Sequence, residues 1–116
     1  MSSALTNLAE IYLDKKNKGL AFDYYEKALD IDIEQNNYDG IYYISVKMAL
    51  SNPINSPARL DWLLKALSAA KKNNEHSYII NIYEELGKYY KANKETEKAN
   101  NAFAKAENMK EKANKI

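Results

Sequence analysis

The sequence predicts an all-α fold: an α-α superhelix of three antiparallel helical hairpins. Three observations predict it. Apolar residues recur at helical spacing nearly end to end. Only three Gly and two Pro interrupt 116 residues, too few for a loop-rich or β-rich chain. One arrangement also occurs twice: Leu8, Ala9, Tyr12, Ala21, Tyr25 and Ala28 recur as Leu86, Gly87, Tyr90, Ala99, Phe103 and Ala106, each 78 residues on, as 8 to 86 and 28 to 106. Duplication at a fixed offset marks a helical-hairpin repeat.

Each element follows in order. Ser2 or Ser3 caps a first helix with Ala4, Leu5, Leu8, Ile11 and Tyr12 on one side, and Lys15-Lys16-Asn17 is a short turn. A second helix, about 18–35, turns Leu20, Ala21, Tyr24, Tyr25, Ala28, Leu29 and Ile31 inward before Asn36-Asn37 breaks it. The third covers about 38–50. Residues 51–57, from Ser51 to Pro57, form the one clear loop. Ser56 before Pro57 starts the fourth helix, a capping hydroxyl followed by proline at the first helical position. This helix runs to about Lys72 and Asn73-Asn74 ends it. A fifth spans about 75–91, and after Ala92-Asn93-Lys94 a sixth runs from Glu95 to near the end. Short connections force neighbouring helices to be antiparallel.

A degenerate copy lies between the two clear ones. Placing Leu60–Leu67 on Phe22–Leu29 gives a 38-residue step, and the step to the last copy is 40. In that register Tyr43, Val46, Lys47, Leu50, Arg59, Leu63 and Ala66 hold the repeat positions, with Lys47 and Arg59 where small residues are expected. Their long stems are expected to lie along apolar surface with the charge in water.

These residues resemble the tetratricopeptide repeat family, over almost the whole chain. The small residues let helices approach closely, while Tyr12, Tyr25, Tyr90 and Phe103 fill the space between. The resemblance implies a single domain in a right-handed superhelix, with repeats at about 3–36, 38–73 and 75–112. The steps of 38 and 40 residues exceed the family's usual ~34. They are similar to the longer repeats of bacterial peptide-pheromone sensors and of sensor arms on bacterial regulators.

The resemblance further implies that the first helix of each hairpin lines a groove for a protein or peptide. Asn7 and Glu10 would line it, with Ser3 and Thr6, from the first repeat. Ile41, Ile44, Ser45 and Met48 would come from the second, and Asn81, Glu84, Glu85 and Lys88 from the third. This makes an apolar centre with polar flanks, suited to an extended peptide or a partner helix. Equally, Ile41, Ile44 and Met48 may be read as core filling a tightly wound groove. The co-chaperone members hold a carboxylate with Lys, Asn and Arg. Here Thr6, Glu10, Ser45, Asn81 and Glu85 stand in those places, and the two acids would repel it.

Composition narrows the function classes. Seventeen Lys+Arg against 16 Asp+Glu leave a net charge of +1, and Arg59 is the sole arginine. That argues against nucleic acid or anionic lipid as partner. The basic tail Lys105, Lys110, Lys112 and Lys115 is interleaved with Glu107 and Glu111. Cysteine is absent, which fits a reducing, cytoplasmic location. No apolar run approaches a membrane span.

No catalytic or metal-ligating constellation is expected, and no cofactor. His76 has no partner at ligand spacing. Glu84-Glu85 and Glu95/Glu97 read as solvated faces. The pairs Tyr24-Tyr25, Tyr42-Tyr43 and Tyr89-Tyr90 fall at repeat positions and read as core, one ring inward and one sideways, before any stacking platform for bases.

The two ends differ. Glu95–Ile116 is mostly Lys, Glu and Asn with a narrow stripe of Ala99, Ala102, Phe103, Ala106 and Met109, suited to a polar terminal helix. The first helix is apolar on two adjoining faces, through Leu5, Leu8 and Ile11. The chain therefore reads as a piece of a longer array, or as a homodimer through its N-terminal hairpin. Burying ~400 Å² there would contribute roughly 10 kcal/mol before entropic costs. The expected function is a non-catalytic binding scaffold, a sensor or interaction arm of a bacterial regulator. The alternative is a structural spacer or self-association segment.

Overall fold

A computed structural model describes residues 2–114. The capping side chain expected of Ser2 and the tail residue Lys115 lie outside what is described. Among the described residues are six helices: α1 (Ser2–Asp14), α2 (Lys18–Glu34), α3 (Tyr38–Leu50), α4 (Pro57–Lys72), α5 (His76–Ala92) and α6 (Thr96–Asn114). They pack as the hairpins α1–α2, α3–α4 and α5–α6, stacked in chain order into a body of 39 × 33 × 21 Å. The all-α repeat architecture is the one expected.

Four of the five connections share one device. Lys16, Asn36, Asn74 and Lys94 adopt positive φ, between 53° and 63°. The residue after each donates its N–H to the carbonyl five positions back: Asn17 to Tyr12, Asn37 to Asp32, Glu75 to Ala70 and Glu95 to Tyr90. This left-handed closure satisfies helix-end carbonyls. The same residue then begins the next helix. The Asn17 side chain accepts from the Leu20 N–H and that of Asn37 from the Gly40 N–H, both at 3.3 Å. The fifth connection, residues 51–56, lacks a positive φ. There Ser56 Oγ accepts from the Ala58 N–H and Pro57 opens α4, as predicted.

The core forms two clusters. Ala9, Tyr25, Ala28, Leu29, Ile44 and Met48 join hairpin one to α3. Ala49, Leu63, Ala66, Ile82, Leu86, Tyr89 and Ala102 join hairpin two to hairpin three. Half-buried Trp62 packs against both. The small repeat residues lie where helices approach most closely: Ala9, Ala21, Ala28 and Ala66 are fully buried, and Ala106 nearly so. At Gly87 a Cβ would stand 2.6 Å from the Phe103 ring, so this crossing admits no side chain without a shift.

The structure corrects the middle repeat. Lys47 does not hold the small position on α3; Ala49 does, at 0% exposure. Lys47 is half-buried with Nζ 5.4 Å over the Tyr43 ring. Counted forward from the Asn37 and Glu75 starts, Ile44, Met48 and Ala49 of α3 correspond to Ile82, Leu86 and Gly87 of α5. The earlier register is two residues off. Arg59 does sit at the small position of α4, but its charge is not in water. It is buried, donating to the Asn52 carbonyl at 3.0 Å and to Glu85 at 3.5 Å. The tyrosine expectation holds in part. Tyr25 and Tyr89 point inward, whereas Tyr42 is half-buried and Tyr43 exposed.

Candidate functional site

The first helices of the hairpins border two adjoining clefts. The first, about 410 Å³, lies between α1 and α3. Asn7 and Glu10 come from α1, Asp39 and Tyr43 from α3, Asp32 from the end of α2 and Tyr78 from α5. The second, about 400 Å³, lies between α3 and α5, with Tyr42, Val46 and Leu50 facing Asn81, Glu84 and Lys88. The Tyr42 and Tyr78 rings stack at 4.1 Å with an interplanar angle of 4°, and this pair divides the clefts.

Hydrogen bonds hold the first cleft. Tyr43 Oη donates to Glu10 Oε1 and links α3 to α1. That acceptor, more than burial, pushes the Tyr43 phenol up to about 12, since ionisation would set two negative charges side by side. Buried Asp32 accepts from Asn37 Nδ2 at 3.2 Å. A Cβ at Gly40 would meet its other oxygen at 2.2 Å, so glycine lets the carboxylate lie against α3. Asp39 accepts from Asn73 Nδ2 at 2.8 Å, tying α3 to the end of α4. Three carboxylates, those of Glu10, Asp32 and Asp39, thus line this cleft, and no Lys or Arg among the described residues does.

The second cleft is more balanced. Glu85 meets Arg59 at 3.5 Å and Lys88 at 3.2 Å, and Glu84 meets Lys110 of α6 at 2.7 Å. The Glu84 partnership raises the Lys110 pKa. Burial pushes the Tyr42 phenol up, against a hydrogen bond with Asn81.

The expected groove residues divide among four places. Asn7, Glu10 and Ile44 line the first cleft, and Asn81, Glu84 and Lys88 the second. Ile41 and Ser45 do not face either; they border a separate crevice between α2 and α4. Met48 is core, at 4% exposure. Ile44, although it borders the first cleft, is 1% exposed and belongs to the same cluster. The apolar centre expected of the groove is therefore packed inside, and the clefts offer amides, acids and tyrosines. Sequence reasoning missed Asp32, Asp39, Tyr43 and Tyr78 as lining residues. Asp32 had a signal: it continues the buried series Tyr25, Ala28 at helical spacing, where a carboxylate is out of place.

At the N-terminal end Leu5 packs inward against the core rather than outward. Leu8 and Ile11 are 39% and 48% exposed, whereas Leu86, which holds the Leu8 position in hairpin three, is 4% exposed. The difference is that α5 has a preceding hairpin against it. At the other end, none of the exposed large apolar residues lies on α6.

His76 is exposed at the start of α5. No group of three or more His, Cys, Asp or Glu among the described residues is placed to hold a metal ion. No helix among them is long and apolar enough to cross a membrane.

Residues 2–32, which are α1 and most of α2, match the family model described as Tetratricopeptide repeat. No curated protein and no solved structure matches the chain.

Proposed function

Since the chain carries a tetratricopeptide repeat, a unit that serves scaffolding between proteins and not catalysis, we propose that its paired clefts take an extended peptide segment of a partner protein. The observation that carries this is the run of polar groups along α1, α3 and α5, with exposed Asn7 in one cleft and exposed Asn81 in the next. An amide can donate to and accept from a peptide backbone at once. The three carboxylates of the first cleft favour a segment bearing Lys or Arg. In this reading the module is cytoplasmic and forms the interaction or sensor arm of a bacterial regulator. The absence of cysteine and the repeat steps of 38 and 40 residues support that placement. The test is affinity for peptides selected from a displayed library on the unaltered chain. Asn7→Ala with Asn81→Ala should weaken binding at least tenfold with helicity intact. Unchanged affinity would sink the groove reading.

A second reading rests on the Leu8 and Leu86 contrast. The Leu8–Ile11 face is the surface that a neighbouring hairpin covers elsewhere in the stack, and a second copy would bury it. Sedimentation should then show a concentration-dependent dimer that Leu8→Asp abolishes. A monomer at every concentration would exclude it.

A further inference from the structure

The opposite face, built from the second helices α2, α4 and α6, carries two crevices of a different chemistry. The first, about 290 Å³, has Leu29, Ile33 and Ile41 with Ser45, Lys65 and Lys72. The second, about 400 Å³, has Leu67, Leu86 and Tyr83 with Lys71, Lys98 and Lys105. Helix α4 is the ridge between them, giving Lys65 and Lys72 to one side and Lys71 to the other. Leu64 borders the second crevice and is 45% exposed.

Among the described residues, no carboxylate lines either crevice. All five lysines lie over aromatic rings: Lys65 over Trp62 at 4.3 Å, Lys72 over Tyr38, Lys71 and Lys105 over Tyr83, and Lys98 over Tyr90, the last four at 5.4 to 5.9 Å. Of the five, only Lys98 has a carboxylate partner among the described residues, Glu95 at 3.5 Å. A cation held over a ring keeps its charge available to an incoming anion. Ser45, beneath the first crevice, is fully buried, and its Oγ makes no hydrogen bond among the described residues.

We propose that this face docks an amphipathic acidic peptide segment of a partner protein. Its apolar side chains enter the two crevices on either side of α4, and its Asp or Glu carboxylates pair with the rim lysines. Charge complementarity selects this occupant: among the described residues the two crevices are lined by lysines and no acid, and the first cleft of the other face by acids and no lysine. A membrane surface fits less well, because recessed crevices receive knobs, whereas a bilayer takes apolar side chains projecting from one plane. The inference does not rest on the peptide clefts of α1, α3 and α5.

The experiment uses the Asn7→Ala/Asn81→Ala chain, so that those clefts are disabled and the two readings fail separately. Peptides long enough for four helical turns are selected on it from a random displayed library. The selected sequences should combine Leu, Ile, Met or Phe at helical spacing with Asp or Glu. Their affinity should fall at least tenfold on Lys65→Glu with Lys72→Glu, both exposed positions, and on Leu64→Asp. It should also weaken as salt is raised. No enrichment, selection of neutral or basic sequences, or affinity indifferent to the lysine reversals would overturn the proposal. So would co-sedimentation of the chain with phosphatidylserine–phosphatidylcholine vesicles that the reversals abolish.

Discussion

Hairpins one and three carry matching residues at every repeat position, and hairpin two does not. The outer hairpins close with small residues, Ala9 and Ala21 fully buried in one, and buried Ala99 with Gly87 against the Phe103 ring in the other. Hairpin two closes with a cation. Arg59 stands at the position of Ala21 and Ala99, and its guanidinium spans the 51–56 loop and α5 through Asn52 and Glu85. Its connection is also longer, residues 51–56 against 15–17 and 93–95. One backbone arrangement therefore accepts two solutions. The small residue is required only where the neighbouring helix comes close enough to demand it.

Exchanging those solutions should break the comparison most severely. Ala21→Arg puts hairpin two's residue into a site with 0% exposure. Overpacking and a buried charge together should cost about 4 kcal/mol or more, seen in urea titration as loss of a cooperative transition. The converse, Arg59→Ala, removes a buried side chain, strands the Asn52 carbonyl and leaves Glu85 with Lys88 alone, and should cost about 3 kcal/mol. If that variant were as stable as the parent, the cation would be incidental to closure.

Tyr25 and Phe103 sharpen the comparison between the outer pair, because they differ by one hydroxyl. Burial first, then the nearby Glu10 and Asp14 charges, push the Tyr25 phenol up to about 12. Its unfolded value is ~10. The folded chain thus binds more protons than the unfolded one between the two values. Stability is full below pH ~10 and is lost as pH rises through about 12, by on the order of 2–3 kcal/mol. Denaturant midpoints across this range should fall less steeply in Tyr25→Phe, which gives hairpin one the side chain of hairpin three. Near neutral pH the same substitution should be close to neutral, since the buried Tyr25 hydroxyl has no partner to lose. An unchanged alkaline slope would show that Tyr25 is not its source.

The smallest change expected is at Gly87. Alanine would bring a Cβ to 2.6 Å from Phe103 Cε1 and Cζ and force the ring aside. The overpacking cost of about 1–3 kcal/mol exceeds the helix-propensity gain of about 1 kcal/mol over glycine. A net loss of up to about 2 kcal/mol is expected in thermal unfolding. Phe103→Leu in the same chain should recover part of it.

The six helices, their breaks and the small positions of the outer hairpins were legible in the sequence, because each rests on local chemistry. Asn17, Asn37 and Ser56 cap, Pro57 starts a helix, and the left-handed residues end one. The register of α3 was not legible. It was carried back from α4 across a connection whose length differs, and a loop does not preserve an offset that a helix does. The clefts were only partly legible. Ile41, Ile44, Ser45 and Met48 all fall on the helical period. Yet α3 is covered on several sides, and periodicity alone does not say which neighbour a residue meets. Asn7 and Glu10, on a helix with one covered side, do line a cleft.

Trp62 is the only tryptophan and touches both halves of the core. In a stack held by nearest-neighbour contacts, the ends loosen before the middle. Its emission is therefore a built-in gauge of the seam alone: the terminal helices can unwind, and ellipticity fall, while the indole still reports an intact centre.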